Sequence, residues 1–193
     1  QLYSYDAVPR VSFNHRYVPM NMPDEIWITD TTFRDGQQSR APFTVDQIVD
    51  LFTMLHKLGG PKGIIRQTEF FVYTEKDREA LARCMDLGYE FPEITSWIRA
   101  STQDFQLVKS LGIKETGVLV SCSDYHIYNK MGLTRAKAMD KYLGVVQEIL
   151  DMGIRPRCHF EDITRADFYG FVVPFANELR RLGEQAGIPV KIR

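Results

Sequence analysis

Short apolar segments alternate with amphipathic ones along most of this chain, and that alternation limits the folds open to it. Strands are expected over 26–30, 63–70, 92–97, 115–121, 155–160 and 188–193. Helices are expected over 44–58, 75–87, 101–111, 134–152 and 166–186. In the first helix Val45, Ile48, Val49, Phe52 and Leu55 share one stripe behind Thr44, a good N-cap. The fourth opens at Thr134 and stops at Gly153, and Gly59, Gly88, Gly112 and Gly187 lie near the ends of the others. Repeated strand–helix units predict parallel strands joined by right-handed crossovers. The missing Gly-x-Gly-x-x-Gly after the first strand counts against a doubly wound, nucleotide-binding sheet. Polar clusters recur at strand ends, at 30–38, 69–73, 96–101, 121–130 and 159–165. A ring of such clusters is how a TIM (β/α)8 barrel assembles its site. The expected fold class is therefore α/β, a TIM barrel represented by its first five βα units and a sixth strand. A closed barrel takes about 250 residues, and the chain has 193. An open sheet of this kind is expected to leave bare edges and an exposed apolar inner face. Residues 1–25, proline-bearing and without a clean period, read as an N-terminal arm; 26–193 read as the incomplete catalytic domain.

The length suits one domain with a real core. A net charge of -1 and the lack of a long basic stripe argue against nucleic acid as a partner. No apolar run reaches the ~18 residues of a membrane helix, and QLYSYDAVPR lacks the pattern of a secretion signal. Cys84, Cys122 and Cys158 have no metal-box spacing and fit reduced thiols of a cytoplasmic enzyme. Cys84 and Cys158 read as small buried side chains.

The chemistry gathers at strand ends. Asp30–Gln38 reads D-T-T-F-R-D-G-Q-Q and follows Ile26, Trp27 and Ile28. Arg34 supplies a fixed, always charged fork that can hold an enolate or carboxylate. Asp35 supplies a carboxylate suited to a divalent cation. The plain alternative is a surface ion pair with Gly36 easing the turn. Asp30 can brace the loop, and Gln38 can contact substrate or stay a surface amide. Glu69 and Arg99 end the second and third strands, and His126 follows Ser123, Asp124 and Tyr125 in a strand-end loop. Glu161 ends the fifth strand, with His159 on the same face if that strand is regular. Phe70, Phe71, Tyr73 and Trp97 favour core or interface over an acyl pocket.

D-T-T-F-R-D-G-Q-Q resembles the signature of the metal-dependent barrel family of 2-isopropylmalate, homocitrate and citramalate synthases and 3-hydroxy-3-methylglutaryl-CoA lyase. It also resembles the entry motif of the carboxyltransferase domain of pyruvate carboxylase. V-S-C-S-D-Y-H-I at 120–127, with K-M-G-L-T-R at 130–135, is similar to the synthases' fourth strand and loop. C-H-F-E-D-I-T-R-A-D at 158–167 is similar to their fifth, and Glu161-Asp162-x-x-Arg165 points to the synthase branch. The resemblance implies that Arg34 steadies the enolate of acetyl-CoA and that Asp35 binds Mg²⁺, Mn²⁺ or Zn²⁺. It implies that Glu161 orients substrate or shares a proton, a carboxylate beside a cation staying charged. Gln38, Glu69, Arg99, His126 and His159 would face the substrate. The family's remaining ligands, a His-x-His near strand seven, have no counterpart in this sequence. Glu69 resembles the glutamate of the family's I-E-V-G-F segment, but Phe70-Phe71-Val72 follows it, bulk that would reshape the pocket. The implied reaction condenses acetyl-CoA with a 2-oxo acid, first of all to 2-isopropylmalate for leucine biosynthesis. Homocitrate, citramalate or citrate synthesis, acyl-CoA cleavage and a non-catalytic assembly module are the alternatives. A homodimer or larger homo-oligomer is expected.

Overall fold

The computed structural model describes residues 12–17, 23–38, 40–99 and 101–193. Most of the expected arm, 1–11 and 18–22, lies outside the described residues. Within it, β1 (Ser12–Phe13) and β2 (Arg16–Tyr17) pair antiparallel across Asn14 and His15, whose φ angles are 52 and 59°. Two adjacent left-handed residues make a tight hairpin turn, an element the arm reading did not contain.

The main sheet has six parallel strands: β3 (Ile28–Asp30), β4 (Ile65–Phe70), β5 (Glu93–Ile98), β6 (Glu115–Ser121), β7 (Arg155–Glu161) and β8 (Lys191–Ile192). Between them run α1 (Val45–Gly59), α2 (Glu75–Asp86), α3 (Thr102–Ser110), α4 (Arg135–Asp151) and α5 (Val173–Ala186). Strand order in the sheet follows the chain without reversal. Right-handed crossovers then place every helix on one face, where α1 packs on α2, α3 on α4 and α4 on α5. A doubly wound sheet needs a reversal point, and none occurs here. The result is a curled, open portion of a (β/α)8 barrel, as expected. Thr44 and Thr74 each close a capping box, with Gln47 and Asp77, and so fix where α1 and α2 begin.

Two boundaries differ from the sequence pattern. The helix expected over 166–186 begins only at Val173, after a 3₁₀ turn (Ile163–Arg165) and a π-helical turn (Phe168–Val172). Asp167 accepts from the Gly170 N–H at 2.8 Å, and its carbonyl accepts from Val172 N at 3.2 Å, which holds this turn out of α-helical register. A second π-helical turn, Tyr125–Lys130, occupies what reads as a polar loop.

The core lies between sheet and helices. Phe70, Ile98, Val118, Val120, Cys158 and Phe160 point outward and are buried with Phe52, Leu81, Phe105, Val146 and Phe175. Phe70 contacts Phe33 and Phe52, so its bulk belongs to this core. The three thiols are buried, and burial pushes each up to about 12.

The inner face is not the apolar surface expected. It carries Gln67, Glu69, Glu93, Thr95, Glu115, Arg155, Arg157 and Lys191, joined by hydrogen bonds across five strands. Arg157 reaches Glu69 at 2.6 Å, Glu115 at 2.8 Å and Gln67 at 2.9 Å. Burial works to raise the Glu115 carboxyl, but the bond and charge of Lys191, with Gln67 and Arg157, hold it below its ordinary value. Gly117 is small for a reason: a Cβ there would lie 2.8 Å from the Trp97 ring and 3.0 Å from His159 Nε2.

Candidate active site

The loop after β3 is braced from below. Asp30 accepts from Thr32 N at 3.0 Å, Thr32 Oγ1 at 2.7 Å and Thr68 Oγ1 at 3.0 Å, the bracing role its position suggested. Gln37 donates to the Phe33 carbonyl at 2.6 Å and accepts from Phe43 N at 2.9 Å, closing the loop on the start of α1. Nothing in the local sequence separates Gln37 from Gln38, which is exposed. The Arg34 guanidinium is held on three sides. It donates to Asp35 at 3.1 Å and to Glu69 at 3.2 Å, and lies 4.1 Å from the centre of the Trp97 ring. Asp35 itself is about half exposed.

Glu69 is fully buried, yet it meets three guanidiniums: Arg34, Arg157 at 2.6 Å and Arg193 at 3.1 Å. His159 stands beside them. Burial, then the charges of Arg157, Arg193 and Arg34, push its imidazole down to about 3. It is therefore neutral near pH 7, and its 3.7 Å approach to Glu69 is not an ion pair. Arg157 Nε donates to His159 Nε2 at 3.3 Å, which assigns the ring proton to Nδ1.

This shift has a sign. The unfolded chain takes up the histidine proton near pH 6.5, and the folded one only near 3. His159 stabilises the fold above pH 6.5 relative to acid, and that stability is lost between about 6.5 and 3, by at most ~1.4 kcal/mol per pH unit. We expect the urea midpoint of wild type to fall more than that of His159→Gln between pH 7 and pH 4.5. Equal falls would mean that His159 protonates normally.

A second group sits at the end of β7. Glu161 accepts a short hydrogen bond from Ser121 Oγ and lies 3.1 Å from His126 Nδ1. His126 is set by the π-helical turn and by its own N–H donating to Ser123 Oγ at 3.3 Å. Asp162 follows in the left-handed region, at φ 61°, and turns the chain sharply away from the strand. Arg135 clamps the two neighbouring loops, bonding Asp124 at 2.7 and 2.6 Å and Asp167 at 2.7 Å.

The parallel sheet puts both groups at the C-terminal ends of its strands, with His159 and Glu161 on one face of β7. Arg34, Asp35, Glu69 and His159 form one contiguous set, and His126 and Glu161 another. Arg99 is exposed and lies against Tyr73, 5.9 Å from its ring centre, in neither set. Reasoning from motifs missed Arg157, Arg193 and Ser121. The alternation Arg155, Arg157, His159, Glu161 along β7 was the available signal for Arg157. Among the described residues no group of three or more His, Cys, Asp or Glu side chains can hold a metal ion. No described helix is long and apolar enough to cross a membrane.

The HMGL-like family model matches residues 25–186. The citrate (Re)-synthase of Clostridium kluyveri is 60% identical over 192 residues, covering 100% of this chain and 42% of that protein. The citrate (Re)-synthase of Syntrophus aciditrophicus is 58% identical over 193 residues, covering 100% of this chain and 31% of that protein. Among solved structures, hydroxymethylglutaryl-CoA lyase from Pseudomonas aeruginosa has the same fold, with a TM-score of 0.62 at 18% identity over 85% of this chain and 57% of that one. The chain spans less than half the length of these curated relatives.

Proposed function

Because the chain belongs to the HMGL-like family, we propose that this protein condenses acetyl-CoA with oxaloacetate and releases citrate and CoA. The carrying observation is the identity to two citrate synthases along the whole of this chain. The motifs alone put 2-isopropylmalate first; these relatives support citrate in its place.

In this reading the acetyl methyl loses a proton, the resulting carbon attacks the keto carbon, and hydrolysis of the thioester frees CoA. Arg34 receives the charge gathering on the thioester oxygen. Asp35, Glu69 and Trp97 hold its guanidinium before the reaction begins, which is the preorganisation that makes such stabilisation effective. Glu161, fixed by Ser121 and His126, orients substrate or shares a proton. Asp35 has the chemistry of one ligand to a divalent cation such as Mg²⁺, Mn²⁺ or Zn²⁺, but a single carboxylate is not a metal site. Such an ion would polarise the keto group; the tasks given to Arg34 and Glu161 are independent of it.

Incubating the full-length gene product with acetyl-CoA, Mg²⁺ or Mn²⁺, and either oxaloacetate or 3-methyl-2-oxobutanoate tests the reading through free thiol. Faster release with oxaloacetate is expected. Release with neither acid removes the synthase reading, and faster release with the branched acid restores 2-isopropylmalate.

A further inference from the structure

Two π-helical turns stand in the loops after β6 and β7, Tyr125–Lys130 and Phe168–Val172. Such turns are rare and concentrate where a site depends on them. Each follows directly on an aspartate, Asp124 and Asp167, and one guanidinium joins the two aspartates. Arg135 Nε and Nη2 donate to the two oxygens of Asp124 at 2.7 and 2.6 Å, and Nη1 donates to Asp167 Oδ2 at 2.7 Å. The other Asp167 oxygen accepts from Gly170 N at 2.8 Å. A Cβ at Gly170 would collide with the Asp167 carboxylate and lie 3.0 Å from Arg135 Nη1, so glycine leaves room for the bridge. Arg135 is also the first residue of α4, where the helix dipole disfavours a cation. The two carboxylates are what hold it there. The bond from Arg135 keeps the Asp124 carboxyl below its ordinary value, and the Gly170 N–H, then Arg135, do the same for Asp167, so the clamp stays charged at neutral pH.

The clamp bears on His126 and Glu161. Glu161 is fixed through the sheet, its carbonyl accepting from Cys122 N at 3.0 Å and its carboxylate from Ser121 Oγ. His126 takes its place from the first π turn, which Asp124 begins and which buried Ile127 pins to the core. Arg165, from the loop of Asp167, adds a weaker tie: it bonds Asp162 at 2.7 Å and lies 5.1 Å from the centre of the Tyr125 ring. We propose that Arg135 is a positioning residue for the condensation: by joining the starts of the two π turns it holds His126 Nδ1 within hydrogen-bond distance of Glu161. This deepens the synthase reading and rests on the task given there to Glu161. A planar fork that spends three nitrogens on two carboxylates fixes direction as well as distance. A displacement of about 1 Å in a positioned group costs on the order of 100-fold in rate.

The test uses the full-length protein as wild type, Arg135→Gln and Asp167→Asn, each also combined with His126→Gln. Asp167→Asn keeps an oxygen for the Gly170 N–H and turns an amide N–H toward Arg135. It therefore opens the bridge while Arg135 and Asp124 stay paired, and it carries the test even where Arg135→Gln does not fold. In either single variant kcat with the better 2-oxo acid is expected to fall by about 10- to 100-fold, with the urea midpoint of Asp167→Asn close to that of wild type. In the His126→Gln background the same changes should cost about threefold or less, because the side chain they place is already gone. An unchanged kcat overturns the proposal, and so does a loss of equal size in both backgrounds, which is what a general loosening gives. The Nδ1 resonance of His126, assigned with His126→Gln in ¹⁵N-histidine-labelled protein, separates the two claims. A signal displaced in Asp167→Asn as Glu161→Gln displaces it, from a protein that releases no thiol with either acid, keeps the positioning role and removes the synthase. An unmoved signal overturns the proposal whatever thiol release shows.

Discussion

Arg34→Ala is expected to lower turnover of the full-length protein by about 100- to 1,000-fold while costing only ~1–2 kcal/mol of folding stability. The asymmetry follows from the contacts. On the catalytic side Arg34 is the cation of the loop after β3 that Glu69 and Trp97 hold at the strand ends, whereas Arg40 in the same loop is exposed and lies over Phe43. Asp35 and Glu69 aim the guanidinium from two directions and Trp97 supports its face. On the folding side Glu69 keeps Arg157 and Arg193 when Arg34 is gone, and only its second oxygen loses a partner. Arg34→Lys should recover little, because an ammonium cannot bond Asp35, Glu69 and a substrate oxygen in one plane. Steady-state thiol release and urea unfolding of the same preparations check both halves. Turnover within a few-fold of wild type would take Arg34 out of its assigned role, whatever the product.

The sequence made the skeleton legible because each βα unit repeats the same local rules. Thr44 and Thr134 start helices, glycines stop them, and the apolar runs between are too short for anything but strands. It also made Arg34 and Asp35 legible, since both leave β3 within one loop. The inner face was harder. Glu69 meets Arg157 and Arg193 across separations of 88 and 124 residues, and no local pattern reports a pairing of that reach. A glutamate whose position suggests substrate contact thus proves to be roofed by arginines. The alternation on β7 held half of the answer, because Arg155, Arg157, His159 and Glu161 point one way while Pro156, Cys158 and Phe160 point the other. What opposes that stripe becomes visible only once β4, β6 and β8 curl around it. The late start of α5 had the same origin: the helical period runs back to 166, but the cap supplied by Asp167 imposes another register on the residues before Pro174.

Arg157→Met is expected to destabilise the fold by about 3 kcal/mol. Methionine replaces much of the volume, so the loss is electrostatic rather than a cavity. Removing the guanidinium strips Glu69 and Glu115 of a shared cation in a place with almost no solvent to replace it. It also leaves the Gln67 carbonyl without its donor. Each carboxylate keeps other cations, Arg34 and Arg193 for Glu69, and Arg155 and Lys191 for Glu115, which keeps the cost from rising higher. A second readout distinguishes a broken network from a general loosening. With one of its three nearby cations gone, His159 should titrate at higher pH than in wild type, visible in its imidazole proton resonances. A loss under ~1 kcal/mol, the level of a surface pair, together with an unmoved His159, would mean that Arg157 is solvated and that the inner face is not the buried charge network described.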